Sequence, residues 1–478
     1  MNPVLLIAIP LLGAFLAVTI KKADKVFLSI AALANLIINV IIAAAYTMPR
    51  IYEMGGFKPP FGISLVLDGY SLAGILLLNV VFALILFMSY QHVGKYAVVL
   101  SIALAALNGV ILTGDLFNLF VFMEIAAIAA YIITTANKGL KHTFNYLVLG
   151  TLGSGLFLFG IVLIYNMFGS LNIADIQDKI NASEVPVTGA MALPLVLIFA
   201  GLSVEAKLIP FGGWVKGVIR EANSLVGTMI VSAYALAVLL VFGRLAGTIF
   251  VLSDGLMIAF TVIAAATLVF AEASAFSRKS LREVLLFSSI AQSGLSVILF
   301  VNGLTLPAVL VLVNNVVSKL ILFTIAGKLA DDLGTDEIAS IKGVFSKYPV
   351  LGVGFSVAAM SLIGLPLFFG FTVKVNALIG LFAAGNIWLP IVILLTAVVE
   401  GAYYIRILAN LWNTGEEGEL SSKDKLKGFT LKGSAKVSVV AILIAVVIVA
   451  AGVLTISNIG APFAADFLTF IKQSMGVM

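Results

Sequence analysis

The chain has 478 residues, of which 62% are hydrophobic and 11% are charged, and its mean hydropathy is +1.17. Since charged residues make up about 25% of a typical soluble protein, this composition excludes a soluble protein and indicates one that crosses a membrane several times. The absence of cysteine excludes disulfides and thiolate ligands for iron–sulfur clusters, haem or zinc. In such a chain the net charge of +5 does not indicate a nucleic-acid partner.

Apolar runs recur along the whole chain, and each has about the 20 residues that a membrane-spanning helix needs. They predict an all-α polytopic membrane protein with about fourteen transmembrane helices. The predicted helices are 3–20, 26–47, 71–91, 95–112, 115–135, 143–167, 190–209 with a continuation to about 222, 224–247, 253–275, 281–301, 304–328, 350–380, 386–412 and 433–457.

Three further segments carry local signals. The stretch from Pro49 to Tyr70 is rich in proline and glycine and predicts a short extended hairpin on the surface. The polar, amphipathic segment 170–184 predicts an interfacial helix. In GTLGSGLFLFG, small residues are expected to let neighbouring helices approach closely. These glycines are Gly150, Gly153, Gly155 and Gly160.

The basic residues predict an orientation. Most loop lysines and arginines follow odd-numbered helices, as in the clusters at 21–25, 278–282 and 423–432. By the positive-inside rule these loops face the cytoplasm. We therefore expect a multi-pass protein of the cytoplasmic (inner) membrane with both termini on the non-cytoplasmic side.

Two of the apolar segments are interrupted and carry a lysine. Lys207 lies in SVEAKLIPFGGW, and Lys374 ends GLPLFFGFTVK. The helix-breaking residues are Pro210, Gly212, Gly364 and Pro366. A charge at bilayer depth costs roughly 3 kcal/mol, and a broken helix is tolerated there only where protein or a water-filled cavity surrounds the freed backbone. The two segments therefore predict an ion path with two half-channels.

An acid in predicted helix 5 is the expected partner of the first lysine. Glu124 lies nine residues beyond Asp115, about two and a half turns into the helix. Because burial and a nearby opposite charge have opposing effects on a titratable group, Glu124 and Lys207 are predicted to form a coupled proton switch. The alternative is a static buried ion pair. Glu205, about 200° round an ideal helix from Lys207, is expected to face elsewhere.

Predicted helix 11 carries the next charged group. Lys319 follows Asn315 by four residues, so the two side chains share one helix face. A polar stripe of this kind suits a hydrated relay, with Lys319 as the relay and Lys374 as the exit. The alternative is that the asparagine forms interhelix hydrogen bonds and the lysine snorkels to the interface.

These motifs resemble those of the antiporter-like subunits shared by respiratory complex I, Mrp-type sodium/proton antiporters and membrane-bound hydrogenases. The matching motifs are DLFNLFVFMEI with Glu124, SVEAKLIPFGGW with Lys207, SRKSLREVLLFSSIAQSG, VNNVVSKLILFTIAG with Lys319, GLPLFFGFTVK with Lys374, and EGAYYIR. The resemblance implies two inverted five-helix repeats and a hydrated charge axis. The expected divisions are 1–94 (helices 1–3 and the hairpin), 95–247 (first repeat), 253–412 (second repeat) and 413–478 (charged loop, helix 14 and C-terminal tail).

The sequence departs from the family pattern at the centre of this axis. Gly212 and Asn315 stand where the family often has histidine, and the lysine common on helix 8 is missing. Either water and local polar side chains bridge Lys207 and Lys319, or the path is altered or partly lost. The candidate bridging residues are Ser232, Tyr234 and Asn315, and the candidate compensating acids are Glu205, Glu272 and Glu400.

The resemblance implies proton or sodium translocation in a multisubunit membrane complex, driven by redox chemistry in partner subunits. Expected partners are homologous antiporter-like subunits, a redox module and membrane lipid. No cofactor, metal or catalytic site is expected in this chain, whose enzymatic role would be that of a membrane subunit of an NADH dehydrogenase-like or hydrogenase-like complex. The alternatives are an Mrp-type Na⁺/H⁺ antiporter subunit, a self-sufficient secondary transporter and a non-conducting scaffold subunit.

Overall fold

The computed structural model describes residues 2–135, 140–182, 192–250, 254–413 and 434–456. Its helices are α1 (Leu5–Thr19), α2 (Asp24–Ala44), α3 (Gly69–Val93), α4 (Ala97–Leu112), α5 (Leu116–Thr134), α6 (Leu140–Phe168), α7 (Ile173–Asn181), α8 (Ala192–Glu205), α9 (Val215–Glu221), α10 (Ser224–Ala246), α11 (Asp254–Ser277), α12 (Leu281–Val301), α13 (Thr305–Leu333), α14 (Val344–Lys347), α15 (Pro349–Ile363), α16 (Phe369–Ala383), α17 (Trp388–Trp412) and α18 (Ser434–Ile456).

Every predicted apolar run contains a helix, and the all-α polytopic fold is confirmed. In the described chain, 10 helices are long and apolar enough to cross a membrane, and shorter apolar helices accompany them. The arrangement in two inverted repeats stays a prediction. The predicted charged loop and the C-terminal tail lie outside the described residues, at 414–433 and 457–478.

The predicted hairpin is confirmed. Strands β1 (Arg50–Glu53) and β2 (Ser64–Leu67) pair antiparallel. The hairpin is fixed to the helical body because Asn172 donates a hydrogen bond to Ser64 Oγ at 2.7 Å. The same asparagine caps α7, the helix predicted at the interface, by accepting backbone N–H groups of that helix.

Three helices form the buried centre. The apolar part of α10 is completely buried, and α12 and α13 are nearly so, whereas α2, α6 and α18 expose much of their surface. Helix α10 contacts α3, α4, α12 and α13. It also contains one π-helical turn, Met229–Tyr234. Because π turns are rare and occur frequently at functional sites, this position in the centre is a place to look for function.

Glycines allow α6 and α8 to pack closely, as predicted, with one exception. A Cβ atom on Gly153 would lie 2.8 Å from a methyl group of Val204, and one on Gly160 would lie 2.9 Å from the carbonyl oxygen of Pro194. A Cβ on Gly155 would meet nothing within 4 Å, so the expectation of close packing is wrong there. Gly155 is exposed and lies on the helix face that turns away from the neighbouring helices.

Candidate ion pathway

The first broken helix places Lys207 in the protein interior. Helix α8 ends at Glu205, and Lys207 has a left-handed φ of 64°, which reverses the chain before a 3₁₀ turn at Phe211–Trp214. A Cβ on Gly212 would overlap the carbonyl oxygen of Lys207, so only glycine fits this turn. The freed backbone is satisfied in part by α11, because the N–H of Ile209 donates to Thr267 Oγ1 at 3.1 Å.

The Lys207 side chain is only 1% exposed. Its ammonium group donates to the carbonyl oxygen of Ile230, at 3.2 Å, within the π turn of α10. Among the described residues, no carboxylate oxygen lies within ion-pairing distance of this ammonium group. The Lys207 side chain therefore connects the first broken helix to α10 in the buried centre.

Glu205 is held beside Lys207 by an aromatic stack. The hydroxyl of Tyr146 donates to Glu205 Oε2 at 3.2 Å. The ring of Tyr146 stacks on Trp214 at 3.6 Å between centroids, and the Trp214 indole N–H donates to the Val204 carbonyl at 3.0 Å. The separation expected from an ideal helix does not apply, because α8 ends at Glu205.

Glu124 lies on α5 and is partly buried. Among the described residues it forms no ion pair with Lys207. Asp115 caps the helix that carries Glu124 by accepting the Asn118 backbone N–H at 2.8 Å. Burial raises the pKa of Asp115, against the opposing effect of this hydrogen bond. No ion pair joins Lys207 to Glu124 or to Glu205 in the described chain, and the coupled switch of Glu124 and Lys207 stays a prediction.

The centre contains polar groups without protein partners. The π turn of α10 packs against α13, which carries Lys319. Four buried residues on these two segments have side-chain polar atoms with no hydrogen-bond partner among the described residues: Ser232, Tyr234, Asn315 and Ser318. Buried polar groups in this situation are normally satisfied by water. Three of the four are the residues that the sequence suggested as a bridge.

Lys319 is the most completely coordinated of the intramembrane lysines. It is fully buried, and its ammonium group donates to the Leu285 carbonyl at 3.1 Å, to Ser288 Oγ at 2.7 Å and to the Tyr404 hydroxyl at 2.8 Å. All three donors of the ammonium group are therefore used by neutral acceptors. The Ser288 and Tyr404 hydroxyls are themselves 3.1 Å apart, which extends the polar line toward α17.

The second break repeats the construction of the first. Helix α15 ends at Gly364, which has a φ of 85°, and α16 begins at Phe369 after Leu367, whose φ is 77°. Pro366 lies between them. The ammonium group of Lys374 donates to the Ile363 carbonyl, the last of α15, at 3.2 Å.

Glu400, an acid on α17, pairs with the lysine of the second broken segment. Lys374 Nζ lies 2.6 Å from Glu400 Oε2. The other carboxylate oxygen of Glu400 accepts from Gln292 at 3.0 Å. Glu272, on α11, is 1% exposed, and its Oε2 has no hydrogen-bond partner among the described residues. Helix α11 packs against α17, which carries Glu400.

Three residues of this line lie within the quoted motifs but are not singled out by the sequence predictions: Ser288, Gln292 and Tyr404. A signal for them exists. Ser288 and Gln292 are four residues apart on α12, and Glu400 and Tyr404 are four apart on α17, so each pair shares one face of its helix. Polar pairs at this spacing inside a membrane span indicate a hydrogen-bonded interior face.

Acids, lysines and hydroxyl groups thus follow one another through the buried part of an apolar helical bundle, which is the construction of an ion-translocating membrane protein. Residues 113–399 match the family described as NADH:quinone oxidoreductase/Mrp antiporter, TM. The chain belongs to this family, and it is an antiporter-like membrane subunit of the kind found in complex I, Mrp and membrane-bound reductase complexes.

Relatives come from each of these settings. The chain is 31% identical to NADH-quinone oxidoreductase subunit N of Desulforudis audaxviator (strain MP104C), over 86% of this chain and 87% of the relative. It is 28% identical to a Na⁺/H⁺ antiporter subunit of Bacillus subtilis (strain 168), over 87% of each chain. Among solved structures, a chain of the membrane-bound sulfane sulfur reductase, an archaeal respiratory membrane complex, superposes with a TM-score of 0.86 at 29% identity, over 98% of this chain and 96% of that chain.

Proposed function

We propose that the chain translocates protons, with sodium as the alternative cargo, as one membrane subunit of a multisubunit, redox-driven complex of the cytoplasmic membrane. One observation carries the proposal. A line of polar groups runs from Lys319 to Ser288 and Tyr404. Glu400, on the same helix as Tyr404, pairs with Lys374. A static fold has little use for Lys319, Lys374 and Glu400 at this depth, because each costs free energy to bury.

Exchange of partners by the lysines would move charge. When a proton reaches Glu400, the attraction that holds Lys374 is lost, and the lysine becomes free to interact with Glu272 or with the centre. In the first half, protonation of Glu124 or Glu205 would change the electrostatic field at Lys207, although neither acid forms an ion pair with it among the described residues. Lys319 lies between the two and passes charge through water and hydroxyl groups, so a change at one end is transmitted electrostatically to the other.

The driving energy is proposed to come from partners. The chain itself is expected to hold no cofactor, and redox chemistry is assigned to other subunits of the complex, among them a redox module and homologous antiporter-like subunits. Both termini are expected on the non-cytoplasmic side, because the basic loops follow odd-numbered helices. The similarity to chains of respiratory complexes, at 31% and 29% identity, supports this setting.

A second candidate is sodium/proton exchange in an Mrp-type assembly. The observation that favours it is the similarity to the Bacillus subtilis antiporter subunit, which at 28% identity is nearly equal to that of the respiratory relatives. The same charge axis would serve this function, with a sodium gradient in place of redox energy.

Subunit composition separates the two settings. The native complex would be extracted in a mild detergent, and its chains identified by mass spectrometry. We expect subunits with iron–sulfur or hydrogenase-type centres. Small hydrophobic companions alone would establish the Mrp-type setting. A chain that purifies by itself and transports a solute in liposomes would replace the subunit proposal with a single-chain transporter.

Translocation itself would be measured on the complex in liposomes, with a trapped pH dye and radioactive sodium. Lys319→Ala is expected to abolish translocation while the complex still assembles. Lys58→Ala, in the exposed hairpin loop, is the matched control and is expected to behave like the wild type. An assembled complex whose pumping is unaffected by Lys319→Ala would identify this chain as a non-conducting scaffold.

A further inference from the structure

A groove outside the charge axis lies among α2, α3 and α18. It has a volume of about 360 Å³. Its walls are almost entirely apolar and are formed by Ala32, Leu33, Leu36, Ala83, Leu86 and Phe87. Leu33 is 58% and Phe87 47% exposed, so the groove opens to the outside of the described bundle rather than to its core.

One end of the groove is basic. The ammonium group of Lys436 lies 5.2 Å from the ring centroid of Phe87 and 5.8 Å from that of Tyr90. The ammonium group of Lys25 lies 5.4 Å from the Tyr90 centroid as well. The nearest acid in sequence, Asp24, accepts the backbone N–H of Lys25 at 2.7 Å. Two cations thus lie near one tyrosine ring at the rim.

The basic end and the apolar end lie at different depths. Lys25 is in the first turn of α2, Tyr90 in the last turns of α3 and Lys436 in the first turn of α18, so all three lie at the same end of the bundle. Leu36 is seven residues further along α2 than Ser29, and Ala83 is seven residues before Tyr90, which places the groove floor about 10 Å deeper. The groove therefore has a cationic mouth and an apolar channel that follows the membrane normal.

We infer that this groove binds an anionic glycerophospholipid, with the headgroup phosphate between Lys25 and Lys436 and one acyl chain along α2 and α3. The charges select an anion, and the apolar channel beneath them selects a molecule with a hydrocarbon chain. Basic pockets between transmembrane helices on the cytoplasmic side are known to bind acidic lipid headgroups. The basic loops predict that this end of the bundle is the cytoplasmic one.

The test uses the purified complex in nanodiscs that contain equal amounts of phosphatidylglycerol and phosphatidylcholine. Lipid that stays bound after release from the disc is counted by native mass spectrometry. The wild type is expected to retain phosphatidylglycerol selectively. The double variant Lys25→Ala/Lys436→Ala is expected to lower that retention by about ten- to thirtyfold, the effect of two interfacial lysines.

Two further variants separate the groove from general surface charge. Lys347→Ala removes another exposed lysine, which lies over Tyr348 at 5.6 Å and outside the groove, and is expected to change nothing. Ala83→Leu narrows the channel without touching the lysines and is expected to lower the retention of the anionic lipid as well. Loss in both groove variants but not in Lys347→Ala would establish the site.

Three results would overturn the inference. They are equal retention of both lipids by the wild type, unchanged selectivity in the double variant, and a protein subunit, rather than lipid, crosslinked to a photoreactive residue placed at Phe87. None of these measurements depends on ion translocation. The inference therefore stands or fails separately from the proposed function.

Discussion

The ammonium group of Lys374 lies 2.6 Å from Glu400 Oε2, across the interface between α16 and α17. Gln292 of α12 holds the other carboxylate oxygen at 3.0 Å. Three helices therefore meet at one buried ion pair. A pair of this kind contributes little net stability, because desolvation offsets the attraction, but removal of one partner leaves a lone buried charge. This asymmetry makes the pair testable.

Comparison of Glu400→Gln with a double variant should separate effects on stability from effects on transport. The change leaves the Lys374 charge without its partner, so we expect a loss of about 3–5 kcal/mol in unfolding free energy, together with loss of translocation. The double variant Lys374→Met/Glu400→Gln removes both charges and should recover most of the stability but none of the translocation. Thermal unfolding and proton uptake of the reconstituted complex measure the two effects. A single variant that pumps normally would remove Glu400 from the pathway.

Tyr404→Phe should disturb Lys319 through a single hydrogen bond. The hydroxyl of Tyr404 accepts from Lys319 at 2.8 Å, and a hydrogen bond to a charged group contributes about 1.5–3 kcal/mol. We expect a loss of stability of that size and slower translocation. Tyr403→Phe is the matched control, since Tyr403 is equally buried but its hydroxyl is not among the partners of Lys319 in the described chain. Equal effects of the two changes would contradict the assignment.

The lengths of the apolar runs and the capping residues make the positions of the helices predictable from this sequence. Helix α12 was expected at 281–301 and occupies Leu281–Val301, because Ser280 caps its start by accepting the Glu283 backbone N–H. Helix α13 runs to Leu333, past the predicted end at 328, since hydropathy marks the part of a helix in the membrane rather than its end in water. It ends at Gly334, where φ is 71°.

The side-chain contacts between helices were less predictable from the sequence. The acid that pairs with Lys374 lies on another helix, and its identity depends on how each helix is rotated about its axis. Glu205 was expected to face away from Lys207 because an ideal helix was assumed, whereas α8 ends at Glu205. The lysines and the breaks can therefore be found from one sequence, but the contacts that connect them require the packed structure.

Gly212→Ala should damage the first break. Its Cβ would overlap the Lys207 carbonyl oxygen, which is backbone and cannot rotate away, so the turn has to distort. Overpacking of this kind typically costs about 1–3 kcal/mol, and we expect translocation to fall because Lys207 moves. Gly213→Ala is the control: a Cβ there meets nothing within 4 Å. Unfolding temperature and proton uptake of both variants would be compared; equal behaviour would show that the turn tolerates a side chain.

Glu272→Gln tests a second acid beside the Lys374–Glu400 pair. The change keeps the shape and the hydrogen-bonding capacity of this buried side chain but removes its ability to bind and release a proton. If Glu272 exchanges with Glu400 as a partner of Lys374, translocation should fall by about a hundredfold, as when a positioned proton-transfer group is lost. Glu272→Asp should restore part of it. Full activity of the glutamine variant would assign Glu272 a structural role only.

Asn315→Leu should have opposite effects on stability and transport. Neither polar atom of the Asn315 amide has a hydrogen-bond partner among the described residues, so an apolar side chain of similar shape should leave the unfolding free energy unchanged or raise it. If water at the centre bridges Lys207 and Lys319, as we propose, translocation should fall, because an apolar side chain there would displace it.

Its neighbour on the same helix provides the matched control. Asn314 Oδ1 accepts from the Ser361 hydroxyl at 2.6 Å, so Asn314→Leu should lower the unfolding free energy by about 1–3 kcal/mol. Both variants would be measured for thermal stability and for proton uptake in the same liposomes. Normal uptake by Asn315→Leu would show that charge passes the centre by a route that does not involve Asn315, and the remaining candidates there would be Ser232, Tyr234 and Ser318.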